Sequence, residues 1–182
     1  MKGEEAVRQK LSGRERALSD YRAAAEECGE GGDTGLKIAI LKKATELFSS
    51  LPDAHAAYAD ALIESSRQEA SVLEKGDFFR AARLSWEKAL AIDPFHAPSL
   101  LGKGRYLVMM AYRGGEDPAE GMQTLQKAIQ SASDSKICAE GEFYVGMGYR
   151  RLGDEEAARR QFSKCLEAHP AFMPAVLASQ AG

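Results

Sequence analysis

The chain is poor in the residues that build disulfide scaffolds, metal sites and membrane spans. Its three cysteines, Cys28, Cys138 and Cys165, are an odd number at irregular spacing, which excludes a disulfide framework and points to reduced thiols. The three histidines, His55, His96 and His169, have no ligand partners at metal spacing, so no zinc site and no metal cofactor is expected. Positive charge is not in excess. The formal net charge is −3, which argues against a nucleic-acid binder that relies on bulk positive charge. No stretch approaches 18 apolar residues, so no membrane-spanning helix is expected. The first residues, MKGEEAVRQKLSG, are charged where a secretory signal would be apolar. A cytoplasmic protein that needs no cofactor is the resulting expectation.

What the chain does have is helical periodicity. Apolar residues make up 45% and charged residues 28% of its 182 positions, the proportions of a soluble globular domain with room for eight or nine helices. The stretch from Ala139 to Pro170 reads as two helices. The first carries Phe143, Val145, Gly146 and Tyr149 and ends at Gly153. The second opens at Asp154 and keeps Ala158, Phe162, Cys165 and Leu166 on one face, a spacing of three and four residues that makes an apolar stripe. Pro170 then stops it, because proline cannot continue a helix.

The pattern recurs. A large residue followed three positions later by a small one appears as Leu41 with Ala44, Trp86 with Ala89, Leu125 with Ala128, and Phe162 with Cys165. Four residues before each large residue stand Lys37, Ala82, Gly121 and Ala158, and only Lys37 breaks the small-residue rule. First-helix signatures stand at Tyr58-Ala59-x2-Leu62, Lys103-Gly104-x2-Leu107 and Val145-Gly146-x2-Tyr149. Proline follows the second helix at Pro94 and Pro170. This arrangement resembles the tetratricopeptide repeat (TPR), whose pattern is W-x2-L-G-x2-Y, then A-x3-F, then P. Glu142 stands where the family has tryptophan. The repeat length also departs from the family's 34 residues: Ala44 to Ala89 is 45, Ala89 to Ala128 is 39, and Ala128 to Cys165 is 37. These are elongated repeats, and the first excess is expected to prolong a first helix through IESSRQEASVLEKG.

The resemblance implies an all-α, right-handed superhelix of antiparallel helix pairs, about four repeats over residues 14–170. Residues 1–13 read either as a flexible segment or as the start of the first helix, which is expected to end near Cys28. The helix pairs that follow are expected at 53–75 with 78–91, 97–113 with 118–131, and 139–170. Asp117 as N-cap, Pro118 at the first helical position and Glu120 form a capping-box-like start for the sixth helix. The glycine run Gly29 to Gly35 precedes a helix, but its spacing fits no phosphate-binding fingerprint and reads as a turn. Residues 171–182, with apolar Phe172, Met173, Val176 and Leu177, resemble a repeat that has only begun. They read as a short capping segment, or as a tail that docks on a second copy to give a homo-oligomer.

Catalytic constellations are scarce. Cys165 and His169, four apart on one helix, are a minimal thiol–imidazole pair without a third orienting group. Cys165 occupies the small buried slot held elsewhere by alanine, so a structural role is expected and the protein is expected not to be an enzyme. The resemblance instead implies protein–protein interaction as a scaffold or adaptor, with a peptide segment of a partner lying in a groove lined by the first helix of each pair. Carried over by signature, the groove residues are Asp53, Asp60 and Glu64 in the second pair, Leu101, Arg105 and Met109 in the third, and Phe143, Met147, Arg150 and Arg151 in the fourth. Arg150 and Arg151 are expected to be exposed, so that reversing their charge leaves stability unchanged. TPR domains that clamp a terminal carboxylate use two asparagines. The chain has none, so that mode of recognition is not expected. A small TPR-type chaperone for a secreted or assembly client is the other function the resemblance implies.

Overall fold

The computed structural model describes residues 2–68, 71–114, 117–172 and 174–175, and every regular element among them is an α-helix. The chain forms two compact units, Met1–Asp93 and Pro94–Gly182, where the sequence reads as one repeat domain. The first unit contains α1 (Lys2–Glu30), α2 (Thr34–Leu47), α3 (Pro52–Gln68) and α4 (Val72–Ile92). The second contains α5 (Ala97–Gly114), α6 (Ala119–Ser131), α7 (Ser135–Arg151) and α8 (Glu155–Ala168). Within each unit consecutive helices pack on one another, and α7 also lies against α5. Each unit is therefore a stack of two helix pairs.

Short polar side chains set the helix starts. Asp33, Asp134 and Asp154 accept hydrogen bonds from the backbone N–H groups of Leu36, Lys136 and Ala157 at 2.8 to 2.9 Å, satisfying donors that have no partner within the helix. Ser71 does the same for Glu74. That cap overturns the expected break near residue 76. α3 ends at Gln68 and α4 begins at Val72, with Gly76 inside it, so the extra length is shared by the two helices. Asp117 accepts from Ala119 at 2.8 Å, and Pro118 takes the cap position expected of Asp117. The first helix runs on to Glu30, past the expected end at Cys28, and turns at Gly32, whose φ of +84° suits glycine. Asp93 and His169 end α4 and α8 alike. Each is extended before a proline and donates its N–H to the carbonyl four residues back, Ala89 and Cys165 respectively.

The recurring large and small residues form the core. Trp86, Leu125 and Phe162 are fully buried and Leu41 nearly so, while Ala44, Ala89, Ala128 and Cys165 are wholly enclosed. Each of those large side chains contributes about 2 to 3 kcal/mol by leaving water. Glycines set the helix separations in the second unit. A Cβ added at Gly104 would lie 2.7 Å from Leu125 Cγ, and one at Gly146 would lie 2.5 Å from Phe162 Cε1. Added at Gly121, it would meet the Val108 backbone nitrogen at 2.8 Å. Two further glycines were not singled out by the repeat pattern. Gly141 receives Ile129 and Gly148 receives Met122, with added Cβ atoms 2.7 and 2.6 Å from those side chains. Both pairs are seven residues apart, so α6 and α7 meet through two knobs spaced two turns apart.

Lys37, the exception to the small-residue rule, is buried. Its stem crosses Gly29, where an added Cβ would come within 2.9 Å of Lys37 Cδ. Its Nζ lies 3.1 Å from Glu26 of α1 and 2.8 Å from Glu64 of α3. Burial disfavours the ammonium, but the hydrogen bonds it donates to Glu64 and Glu26, with their negative charges, outweigh that and hold Lys37 above the usual lysine range. The lysine replaces small-residue packing with an ionic tie among three helices.

Two pairs of substitutions test this account by thermal or denaturant melting. Gly146→Ala is expected to cost about 1 to 3 kcal/mol by overpacking against Phe162. Gly76→Ala, with nothing within 4 Å of the added methyl, is expected to stabilise by about 0.5 to 1 kcal/mol. Replacing Glu26 and Glu64 together by alanine removes both acceptors of the buried ammonium and is expected to cost about 1 to 3 kcal/mol. Lys37→Met on that background is expected to recover most of the loss, and no recovery would contradict the ionic tie.

Candidate peptide-binding face

Three faces of α7 organise the second unit. Gly141 and Gly148 face α6. Phe143, Gly146 and Arg150 face α8: the Phe143 and Phe162 rings are 5.7 Å apart, and the Arg150 guanidinium lies 5.0 Å over the Phe162 ring. Glu140 and Arg151 face α5. Glu140 accepts from Arg105 at 2.7 Å, and both side chains are only 20% exposed. Arg151 Nε donates to the Ala111 carbonyl at 3.2 Å, one of the last four carbonyls of α5, which have no partner within their helix. Glu140, Met147 and Arg151 thus share one stripe, with Met147 between the two polar links. On α5, Arg105 and the half-buried Met109 are one turn apart.

The fold of paired helices is shared with solved structures. A thermophilic TPR protein of Thermus thermophilus, TTC0263, is 17% identical over 94% of this chain and 87% of its own, with a TM-score of 0.70. PilF of Pseudomonas aeruginosa is 24% identical over 92% of this chain and 68% of its own, with a TM-score of 0.72. MamA is 17% identical over 91% of this chain and 86% of its own, at 0.59. The chain has the TPR fold. No protein-family model matches the sequence, and no curated protein matches it.

The TPR first helices carry the ten residues expected at the groove, but the structure divides them. On α3, Asp53 is exposed and 3.9 Å from Arg22, Asp60 is exposed, and Glu64 is engaged by Lys37. On α5, Leu101 is buried, whereas Arg105 and Met109 are half-buried. On α7, Met147 and Arg151 stand on the stripe toward α5. Phe143 and Arg150 do not; Phe143 joins an aromatic cluster with Phe162 and with Phe172, 5.6 Å away. Arg150 also donates to Glu155 at 3.3 Å. Neither Arg150 nor Arg151 is the exposed charge expected from the sequence. Both are half-buried and bonded into the fold, so reversing them would disturb stability. Arg151 was legible as a basic residue at a helix end, but its carbonyl partner 40 residues away was not.

Phe172 and Ala175 pack on Ala139, Phe143 and Cys165 of their own unit. Met173, Val176 and Leu177 lie outside the described residues. Cys165 is fully buried, and burial first, then the nearby Glu142 carboxylate, push its thiol up to about 11. A thiol held there carries negligible thiolate at neutral pH, which disfavours the Cys165–His169 pair as a nucleophile. Burial likewise pushes the Glu142 carboxyl up, partly offset by Lys164. Among the described residues no group of three His, Cys, Asp or Glu is placed to hold a metal ion, and no helix is long and apolar enough to cross a membrane.

Alkylation checks the state of the cysteine. At pH 8 iodoacetamide is expected to modify the half-buried Cys28 and Cys138 well before Cys165, as read by peptide mass spectrometry. Rapid native labelling of Cys165 would contradict its burial.

Proposed function

We propose that this protein is a non-catalytic protein-interaction module, a scaffold or adaptor that holds a segment of a partner against the first helices of its TPR pairs. The observation that carries this reading is the stripe of α7 in the second unit. Glu140 and Arg151 there are tied to α5, which fixes the two first helices as one surface. Met147, between those ties along α7, and Met109, one turn from Arg105 on α5, are half-buried apolar side chains. Unbranched thioether side chains adapt to partner side chains of different shape. Rigid backbone beneath adaptable side chains suits an extended or helical segment with an apolar anchor.

Phe143 and Arg150 are not part of this proposed surface, because they pack toward α8. Arg105, Met109, Met147 and Arg151 form it in the second unit. Asp53 and Asp60 of α3 supply an acidic face in the first. Location in the cytoplasm and action without a cofactor are part of the same proposal.

The test is selection of binding peptides from a random peptide library displayed on phage, with the full chain as bait. Peptides that bind the full chain are expected, with affinity falling about tenfold or more on Met109→Glu or Met147→Glu, a loss of at least about 1.4 kcal/mol. Helical content of both variants is checked by circular dichroism. Selected peptides that bind both folded variants undiminished would place recognition on another face.

A further inference from the structure

The cations of the second unit are not spread evenly over its helices. The second helices are balanced: α6 has Glu120 against Lys127, and α8 has three acids against Arg159, Arg160 and Lys164. The first helices are not. Lys103, Arg105 and Arg113 stand on α5 with no acid, and Lys136, Arg150 and Arg151 on α7 against Glu140 and Glu142. The two therefore hold a net charge of +4 within a chain whose formal net charge is −3. In the first unit the corresponding helix, α3, has Asp53, Asp60 and Glu64 against Arg67. A helix C-terminus favours cations and accounts for part of this placement. It does not account for Lys103, Arg105 or Lys136, which stand away from the last turn of their helices.

The charges on this face also differ in what holds them. Lys103 leans toward Glu120 of α6 at 4.0 Å, and Arg105 is matched by Glu140. Arg151 is half-buried and spends Nε on a neutral carbonyl. Among the described residues no carboxylate pairs with it and its two terminal nitrogens have no acceptor. The bond to Ala111 holds the guanidinium plane in place, and a held guanidinium loses little freedom on taking a carboxylate. Met147 is one turn back on the same helix, and exposed Arg113 stands in the last turn of α5, two residues beyond Ala111.

From this we infer that the α5 and α7 face of the second unit takes an acidic partner segment. An apolar side chain would seat beside Met109 and Met147, and an aspartate or glutamate near it would pair with Arg151, with Arg113 adding longer-range attraction. This inference rests on the binding reading above and names the chemistry of its partner. Complementary charge of this kind selects partners and speeds encounter more than it adds affinity, so its signature is a strong dependence on salt and on the sign of the peptide's charge.

Two fluorescein-labelled peptides of about twelve residues, one of leucine and glutamate and one of leucine and lysine in the same order, are titrated with the full chain by anisotropy. The acidic peptide is expected to bind about tenfold or more tighter at low salt than its basic counterpart, with the preference shrinking as salt rises. Arg151→Gln is expected to reduce acidic-peptide binding about tenfold. Because that change also frees the Ala111 carbonyl, the exposed Arg113→Glu is the second variant, expected to weaken the acidic peptide and strengthen the basic one, with only the small loss of melting temperature that an acid in the last turn of α5 brings. Equal binding of the two peptides, no binding of either, or an Arg113→Glu protein with unchanged preference would overturn the acidic-partner inference. Neutral or basic peptides recovered from the displayed library would do the same while leaving the binding reading intact.

Discussion

The close approach of α7 to its neighbours is the constraint on which the second unit depends. A helix of 17 residues that carries Gly141, Gly146 and Gly148 gives up about 1 kcal/mol at each relative to alanine. The chain recovers that cost through contact: Phe162, Met122 and Ile129 press onto the bare backbone where a methyl group would collide. Each glycine serves a different neighbour or a different turn of the same one. Loss of any of them would move α7 off a partner and shift its remaining faces as well.

This economy leaves α7 little surface for anything else. With one face on α6 and one on α8, the stripe toward α5 is the face the proposed binding would use, and its polar members already tie the two first helices together. A seam of this sort presents its side chains at fixed separations, so a segment bound as proposed would be ordered on a surface that need not be ordered with it. The division of α7 into three faces explains why Phe143 and Arg150, which share a helix with Met147 and Arg151, belong to the core of the unit.

Much of the fold was legible in the sequence because it is written in local spacing. The pairing of Leu41, Trp86, Leu125 and Phe162 with their small neighbours, and the prolines after α4 and α8, are relations within ten residues. What escaped was set by partners distant in sequence. Gly141 and Gly148 read as ordinary glycines in a helix until Ile129 and Met122 are seen above them. Arg151 reads as a solvated cation until the Ala111 carbonyl appears across the seam. Gly76 is different: it reads as a helix break, although Ser71-x-x-Glu74 has the local spacing of a capping box and marks the start of α4.

Lys37 gives the first unit a dependence on the order of events. Its two carboxylate partners remain largely in water, 67% and 49% exposed, while the lysine side chain itself is 7% exposed. If the lysine is lost first, the glutamates simply hydrate. If the glutamates are lost first, a charge is stranded inside. A small residue is therefore reached at this slot at lower cost when the lysine leaves before its partners, and the tie acts as a ratchet on how this corner of the repeat can diverge.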